Sequence, residues 1–218
     1  MKKSIILLFS LVLLLSFVSA HQPRIVYQQT SSFENPFIVQ NPEISQAFYG
    51  ELKGNPDFYL IDSATDFNLY LNILSPDVKN ARTDFVVEII YNKSIILDPI
   101  ANWTKFYEEF AGDNYFKGPE FEKNVSAGKY IIKISNQNNT GKYSLAIGKI
   151  ESFPLKDQLK TLAALPKLKI FFEKSPFTAF FNKIGEYLLI LIIVIVALIL
   201  LVYFIIKKIR NNKSKKKR

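Results

Sequence analysis

The stretch from Phe67 to Ile73 reads Phe-Asn-Leu-Tyr-Leu-Asn-Ile, with an aromatic or aliphatic residue at every second position. A period of two places Phe67, Leu69, Leu71 and Ile73 on one face of a strand and the residues between them on the other. Such a strand is half buried, so it predicts a sheet with one face against a hydrophobic core. How often the pattern recurs decides the fold class.

The same alternation recurs on both sides of this stretch. Further strands are predicted at residues 57–61, 84–91, 94–97, 128–135 and 143–147. Asn92-Lys93 predicts a tight turn, and residues 136–141 predict a turn that joins the last two strands as a hairpin. Residues 102–115 are compatible with a short helix or with an irregular aromatic loop. The sequence therefore predicts a mainly β fold, an antiparallel jelly-roll-like β-sandwich over residues 21–153.

The N-terminus has the pattern of a signal peptide over residues 1–20. Lys2 and Lys3 precede an apolar run from Ile5 to Val18, and small residues then lead to Ala20. An uncleaved anchor is the alternative, but the run is shorter than a membrane span. We expect cleavage after Ala20 and export of the sandwich as an ectodomain.

A second apolar run, from Tyr187 to Ile206, contains no charged residue, and it predicts one C-terminal transmembrane helix. We expect this span to lie within a longer helix over residues 176–208. The basic residues Lys207, Lys208 and Arg210 follow it, and residues 209–218 form a basic tail. By the positive-inside rule the C-terminus would be cytoplasmic and the N-terminus outside, so the prediction is a single-pass protein of the cell membrane.

The formal charge of +9 is concentrated in the region that follows Ile206, which contains eight Lys and Arg residues. The part between the two apolar runs is mildly acidic. Nucleic acid is therefore not an expected partner, because binding phosphate requires basic groups clustered on a folded face. The expected partners are a lipid bilayer and another membrane or surface protein or a glycan.

A basic amphipathic juxtamembrane segment is predicted over residues 154–175, where leucines alternate with lysines. It would lie on the outer membrane surface or, as the alternative, pack as a helix against its own sandwich. Pro166 is expected to kink or divide it. Ser175 and Pro176 suit the start of the next helix.

Three segments of the sandwich resemble the bacterial pre-peptidase C-terminal (PPC) domain. These are Asp57-Phe58-Tyr59-Leu60-Ile61, Gly128-Lys129-Tyr130 and Gly141-Lys142-Tyr143-Ser144-Leu145. The resemblance covers residues 57–148 and implies a small jelly-roll-like β-sandwich that acts as a non-catalytic accessory module of exported proteins. The sequence departs from that setting because an apolar helix, and no peptidase domain, is predicted beside the module.

The sequence contains no cysteine and one histidine, His21. Disulfides, thiolate metal sites, Cys-His triads and histidine-rich zinc sites are thereby excluded. As a new N-terminus His21 is a weak candidate copper ligand, because a second imidazole is absent. No cofactor is expected.

Paired carboxylates are the remaining candidates for catalysis: Glu108 with Glu109, Asp62 with Asp66, and Glu120 with Glu122. A glycosidase needs two carboxylates that face one cleft, which closeness in sequence alone does not provide. We therefore predict that the protein is not an enzyme. A metal-handling protein or hydrolase that uses His21 or these acidic residues is the alternative.

Aromatic residues and glycosylation sequons mark the candidate binding surfaces. Trp103, Phe106, Tyr107 and Phe110 form either an aromatic surface for a glycan or peptide or part of the core. The sequons are those of Asn92, Asn102, Asn124 and Asn138, all at or near predicted turns. The predicted function is a surface-displayed, membrane-anchored binding or assembly module.

Overall fold

The computed structural model describes residues 22–25, 31–97, 102–108, 112–152, 154–180 and 183–215. The strands are β1 (Gln22–Ile25), β2 (Phe37–Val39), β3 (Gln46–Lys53), β4 (Asp57–Ser63), β5 (Phe67–Pro76), β6 (Val86–Tyr91), β7 (Lys93–Leu97), β8 (Thr104–Glu108), β9 (Asp113–Val125), β10 (Gly128–Ser135) and β11 (Thr140–Ile147). Helix α1 (Leu155–Phe171), a 3-10 helix (Pro176–Phe180) and helix α2 (Lys183–Lys215) follow. The chain divides after Ala179 into two compact units, and the sandwich and α1 belong to the first.

The strands form two sheets. One has the order β1-β3-β11-β5-β9-β8 and the other the order β2-β4-β10-β6-β7. The prediction of a mainly β fold with two sheets is confirmed. Neighbouring strands are antiparallel, as predicted, except at β1–β3 and β2–β4, which are parallel pairs at the sheet edges.

The core lies between the two sheets and is built by the predicted alternation. The inward-facing set from β5, Phe67, Leu69, Leu71 and Ile73, is buried. The alternating residues of β10 and β11 are buried with it: Tyr130, Ile132, Ile134, Tyr143, Leu145 and Ile147. Burial of these side chains from both sheets supplies the hydrophobic stabilisation that a chain without disulfides requires.

The predicted hairpin between the last two strands is wrong. Strand β10 lies in the five-stranded sheet and β11 in the six-stranded sheet, so the turn between them crosses the sandwich. Asn136 supports this crossing, because its side chain donates to the carbonyl of Thr140 at 2.7 Å and accepts from the Thr140 amide at 3.1 Å. Asn139 adopts a φ of 46°, which asparagine tolerates better than most residues.

Residues 102–115 are neither a helix nor an irregular loop over the part that the structure describes. Strand β8 pairs with the start of β9, with Phe106 opposite Tyr115. The β6–β7 turn at Asn92 is confirmed as a tight antiparallel connection, with a φ of 52° at Asn92.

A buried hydrogen-bond network joins the two sheets at one end of the core. The Tyr143 hydroxyl donates to the Asp57 carboxylate at 2.6 Å and accepts from the Tyr59 hydroxyl at 2.7 Å. The Ser31 hydroxyl donates to the same carboxylate at 3.3 Å. Burial raises the pKa of Asp57, whose residue is 8 % exposed, and the two donated hydrogen bonds offset part of that rise.

The raised pKa of Asp57 predicts that this group makes the sandwich less stable as the pH rises. The folded state binds the proton more tightly than the unfolded state. The contribution is therefore complete below the ordinary pKa of 3.8 and is lost as the pH rises through the folded pKa. We expect Asp57→Asn to remove this contribution to the pH dependence of the free energy of unfolding. The measurement is urea unfolding at several pH values, followed by fluorescence of Trp103, the only tryptophan.

Asp84 is the matched control, because Arg82 donates hydrogen bonds to its carboxylate and lowers its pKa. Its contribution is present at neutral pH and is lost as the pH falls. Asp84→Asn should therefore change the pH profile in the opposite sense to Asp57→Asn. Identical pH profiles for the wild type and Asp57→Asn would contradict the prediction.

Helix α1 packs against the outer face of the six-stranded sheet. Leu165 and Leu168 are buried, and the ring of Phe172 lies 5.6 Å from that of Tyr49 and 5.8 Å from that of Tyr115. Of the two alternatives for residues 154–175, the described contacts are those of a helix packed on its own sandwich.

Pro166 lies inside α1 and does not divide it. Pro176 begins only a five-residue 3-10 helix, and α2 begins at Lys183. The predicted single helix from Pro176 onward is therefore not what the described residues form.

The predicted transmembrane anchor is corrected. Within the described residues no helix meets the combined length and hydropathy that a membrane span requires. The span over residues 187–206 and the location as a single-pass membrane protein are withdrawn. The anchoring roles given to Tyr187, Ile206, Lys207, Lys208 and Arg210 are withdrawn with them. The predicted signal peptide lies outside the described residues.

Candidate binding pocket between the sheets

A cavity of about 360 Å³ opens between the two sheets. It lies where β9 crosses to β10, beside β5 and β6. The lining residues are Leu69, Ile89, Tyr91, Phe121, Lys123, Asn124, Val125, Ser126 and Tyr130. Both sheets therefore contribute walls, and the short segment between β9 and β10 forms part of the rim.

The inner part of the pocket is apolar because it continues into the core. Leu69 and Ile89, one from each sheet, are both buried core residues. Phe121 and Val125 pack partly buried against the same core. A ligand group that entered here would replace water against hydrocarbon, which is favourable for an apolar group at about 25 cal/mol per Å² of buried apolar area.

Two stacked tyrosines form one wall. The rings of Tyr91 and Tyr130 lie 4.4 Å apart with an interplanar angle of 22°. Tyr130 is further held by the edge of Phe67, 5.6 Å away, and by its hydroxyl, which donates to the Ser126 carbonyl at 2.8 Å. Gly128 permits the stack, because a Cβ at this position would lie 2.9 Å from the Tyr91 ring. The wall is therefore rigid before any ligand binds.

Lys123 places a positive charge at the mouth of the pocket. It lies directly opposite Leu69 in the β5–β9 pairing, so it belongs to the inner face of its strand, where Phe121 and Val125 also lie. Lys123 is exposed to solvent. Within the described parts of the chain no carboxylate forms an ion pair with it.

The rim is fixed by two hydrogen bonds, one to the turn before β5 and one between β5 and β9. The Ala127 amide donates to the Asp66 carboxylate at 2.9 Å, and the Asn68 side chain donates to that of Asn124 at 3.0 Å. These contacts hold the β9–β10 segment over the end of β5. The geometry suits a ligand with an apolar body and an anionic end.

The predicted aromatic surface is divided between the core and the solvent. Trp103 packs partly buried against the core, 6.3 Å from Phe85, and its ring occupies the space over Gly118. Phe106 and Tyr107 are 38 % and 52 % exposed, but consecutive strand residues face opposite sides of a sheet. Phe110 lies outside the described residues. A binding role for this set stays a prediction.

The four sequon asparagines are exposed. Asn92 and Asn138 lie in turns, Asn102 precedes β8, and Asn124 lies near the end of β9 on the rim of the pocket. Modification of these residues stays a prediction.

The paired carboxylates do not converge on a cleft. Glu120 and Glu122 bond separately to Lys117 and Lys149. The hydrogen bond from Lys117 lowers the pKa of Glu120, which is the opposite of what a general acid needs. The other described pair is likewise engaged, since Asp62 pairs with Lys129 at 3.3 Å and Asp66 caps the Ala127 amide. Glu109 lies outside the described residues.

Within the described residues no group of three or more acidic or histidine side chains is arranged to hold a metal ion. His21 lies outside those residues, so its copper-binding role stays a prediction.

No protein-family model matches the chain, and no curated protein matches it. Among solved structures, one match is the pre-peptidase C-terminal domain of a collagenase from Bacillus anthracis. That match has 15% sequence identity and a TM-score of 0.34, and covers 54% of this chain and 96% of the other. The PPC domain named in the sequence analysis is thus a structural neighbour, at a similarity too low to bear on function.

The pocket itself was not predicted. Tyr91 and Tyr130 lie in predicted strands, but only the pairing of β6 with β10 brings their rings together. The one signal in the sequence is Lys123, which takes an alternating position between the apolar residues Phe121 and Val125. A charged residue on an otherwise inward-facing row indicates an opening in the core.

Proposed function

We propose that the sandwich is a non-catalytic binding module whose inter-sheet pocket accepts an apolar group that carries a carboxylate. The observation that carries the proposal is the combination of a preformed apolar cavity with Lys123 at its mouth. Its volume lies at the lower end of the range for ligand sites, about 300–1,000 Å³. One aromatic or branched aliphatic group therefore fits better than a large ligand.

The walls favour an apolar group over a sugar. Leu69, Ile89 and Val125 offer no hydrogen bonds, so a sugar hydroxyl placed against them would lose its water partners without replacement. A carboxylate near the mouth would instead meet Lys123 and remain partly hydrated. The apolar side chain and terminal carboxylate of a peptide have this combination of groups, which agrees with the expected protein partner.

The test uses N-acetyl-phenylalanine and its uncharged amide as probes. Saturation-transfer NMR on the full chain should detect both probes, with the carboxylate bound more tightly. At about 0.3 kcal/mol per non-hydrogen atom, a probe of this size should bind with a dissociation constant of about a millimolar. Absence of saturation transfer to both probes would overturn the proposal.

Two variants locate the site. Val125→Phe should fill the cavity and weaken both probes. Lys123→Met keeps the apolar stem and removes the charge, so it should weaken only the carboxylate, by up to about fivefold for an exposed ion pair. Lys105→Met is the matched control, since Lys105 is an exposed cation on β8, outside the pocket. Equal effects of the Lys123 and Lys105 variants would argue against binding here.

A further inference from the structure

The outer face of the five-stranded sheet carries a row of four aliphatic side chains. Ile38 of β2 pairs with Leu60 of β4, Leu60 with Ile131 of β10, and Ile131 with Ile90 of β6. These positions alternate with the buried residues of their strands, so all four face outward. Ile38 is 66 % exposed and the other three are half-buried. The row is therefore a continuous apolar stripe across four strands.

A row that contains charged residues flanks the stripe on each side. On one side Asp62 lies opposite Lys129, and their charged groups are 3.3 Å apart. On the other side Phe58 lies opposite Lys133, which bonds to Glu88 of β6 at 3.1 Å. Both signs of charge are present, so the face has no overall preference for a basic or an acidic surface.

The arrangement is complementary to itself. A two-fold axis parallel to the strands and midway between β4 and β10 exchanges these two strands between two copies. It also exchanges β2 with β6, because the order of the strands is β2-β4-β10-β6. We propose that this face binds a second copy of the same chain about that axis.

The side chains of the stripe and of the row that contains Asp62 then meet suitable partners. Leu60 faces Ile131 of the second copy, and Ile38 faces Ile90, so the two stripes bury each other. Asp62 faces Lys129 in both directions, which turns two separate ion pairs into a four-charge cluster. Such isologous pairing is what a C2 interface requires.

The rows on either side of the stripe argue against other occupants. A wholly apolar surface, such as lipid tails, would take the Asp62–Lys129 pair out of water and offer it no further partner. The outer face of the other sheet is already covered by α1, as the burial of Leu168 and Phe172 shows. On the five-stranded sheet, by contrast, Ile38 of the outward stripe remains 66 % exposed.

The size of the face predicts a weak dimer. Four strands spaced about 4.8 Å apart give a patch about 20 Å across, which buries about 800 Å² in total from both copies. This area is below the about 1,000 Å² that a stable specific interface buries, so we expect a weak dimer whose population depends on concentration.

Cross-linking tests the proposal cleanly, because the chain has no native cysteine. Sheets packed about 10 Å apart bring the Leu60 positions of two copies within reach of a short bismaleimide. Full-length Leu60→Cys should therefore form cross-linked dimers, in a yield that rises with protein concentration. Ile150→Cys is the control, since Ile150 is 53 % exposed but lies outside this face. Equal dimer yields from the two variants would overturn the proposal.

Charge reversal tests the axis itself. Asp62→Lys in the Leu60→Cys background places lysines opposite Lys129 twice and should weaken dimerisation at least about tenfold. The exchange Asp62→Lys with Lys129→Asp restores opposite charges and should restore the cross-linked yield. An unchanged yield after Asp62→Lys, or no recovery in the exchanged variant, would exclude this dimer.

Discussion

Replacing Asp113 by alanine is expected to lower the free energy of unfolding of the sandwich by about 3–5 kcal/mol, the usual cost of breaking a buried ion pair. The Asp113 carboxylate lies 2.8 Å from the Lys169 ammonium and 3.4 Å from that of Lys174. Lys169 is only 1 % exposed, so its charge has little access to water. Removal of the carboxylate takes the negative charge of Asp113 away from both lysines, one of which is buried.

The electrostatics of Lys174 support this expectation. Burial lowers its pKa, and the carboxylate of Asp113 opposes that shift. The same ammonium lies 4.6 Å from the centre of the Tyr115 ring and donates to the Asn114 carbonyl at 2.9 Å. These contacts position the charge, but they do not neutralise it. Asp113→Ala should therefore loosen α1, which amide hydrogen exchange over Leu165–Phe172 would detect.

A second substitution should reverse most of this loss. Replacing Lys169 by methionine in the Asp113→Ala background removes the dehydrated charge and keeps an apolar stem of similar length. The control is Asp77→Ala, which breaks the 3.5 Å pair between Asp77 and the exposed Lys105 and should cost less than about 1 kcal/mol. If Asp113→Ala costs no more than Asp77→Ala, the ion cluster does not hold α1 in place.

The strands that the sequence predicted are those with one face in the core. In β5, β10 and β11 alternate residues are buried between the sheets, so the period of two survives in the sequence. In β3, which was missed, Ala47 is buried on the outer face and Phe48 on the inner face. Because Ala47 and Tyr49 lie on the outward row, apolar residues occur on both faces of this stretch and the alternation is weak, and a short apolar run alone does not distinguish strand from helix.

The missed strand β9 shows a second reason why a sequence pattern can fail to predict a strand. Its pairing with β5 shifts register between Asn72 and Leu74, opposite Gly118 and Pro119. The side-chain Nδ2 of Asn72 donates to the backbone carbonyls of both these residues, at 3.4 and 3.3 Å. A bulge of this kind changes which residues face inward, so a single period does not describe the strand from end to end.

The failure to predict the pocket and the wrong prediction of a hairpin between the last two strands share one cause. Local sequence identifies a strand, but it does not say whether the next strand pairs with it or crosses to the other sheet. Asn136 suits a turn in either case, and only the positions of β10 and β11 in different sheets decide. Tyr91 and Lys123 belong to different sheets, so their place in one pocket follows from the tertiary arrangement alone.

The substitution Gly148→Ala is expected to be as damaging as the loss of Asp113. Gly148 follows β11 and has a φ of 79°, a conformation that costs an L-residue about 1–2 kcal/mol. An added Cβ would also lie 2.4 Å from the carbonyl oxygen of Ile44 and 2.6 Å from the carbonyl carbon of Glu43. These are backbone atoms, so a side-chain rotation does not relieve the collision.

Relief would require separating the chain on either side of Gly148 from residues 42–45. The amides of Lys149 and Ile150 donate to the Glu43 carbonyl at 3.0 and 2.8 Å, and the Ser45 amide donates to the Ile150 carbonyl at 3.0 Å. Each such bond contributes about 0.5–1.5 kcal/mol. Strain and lost hydrogen bonds together predict a loss of about 3–5 kcal/mol for Gly148→Ala.

Gly54→Ala separates the conformational strain from the collision with the backbone of residues 42–45. Gly54 has a similar φ of 88°, but an added Cβ there meets no atom within 4 Å. It should therefore cost only the conformational strain, about 1–2 kcal/mol. The difference between the two variants, measured by urea unfolding at one pH, isolates the contact of residues 148–150 with residues 42–45. Equal costs would mean that residues 42–45 move away from Gly148 without loss of stability. The close contact at Gly148 would then not contribute to the stability of the sandwich.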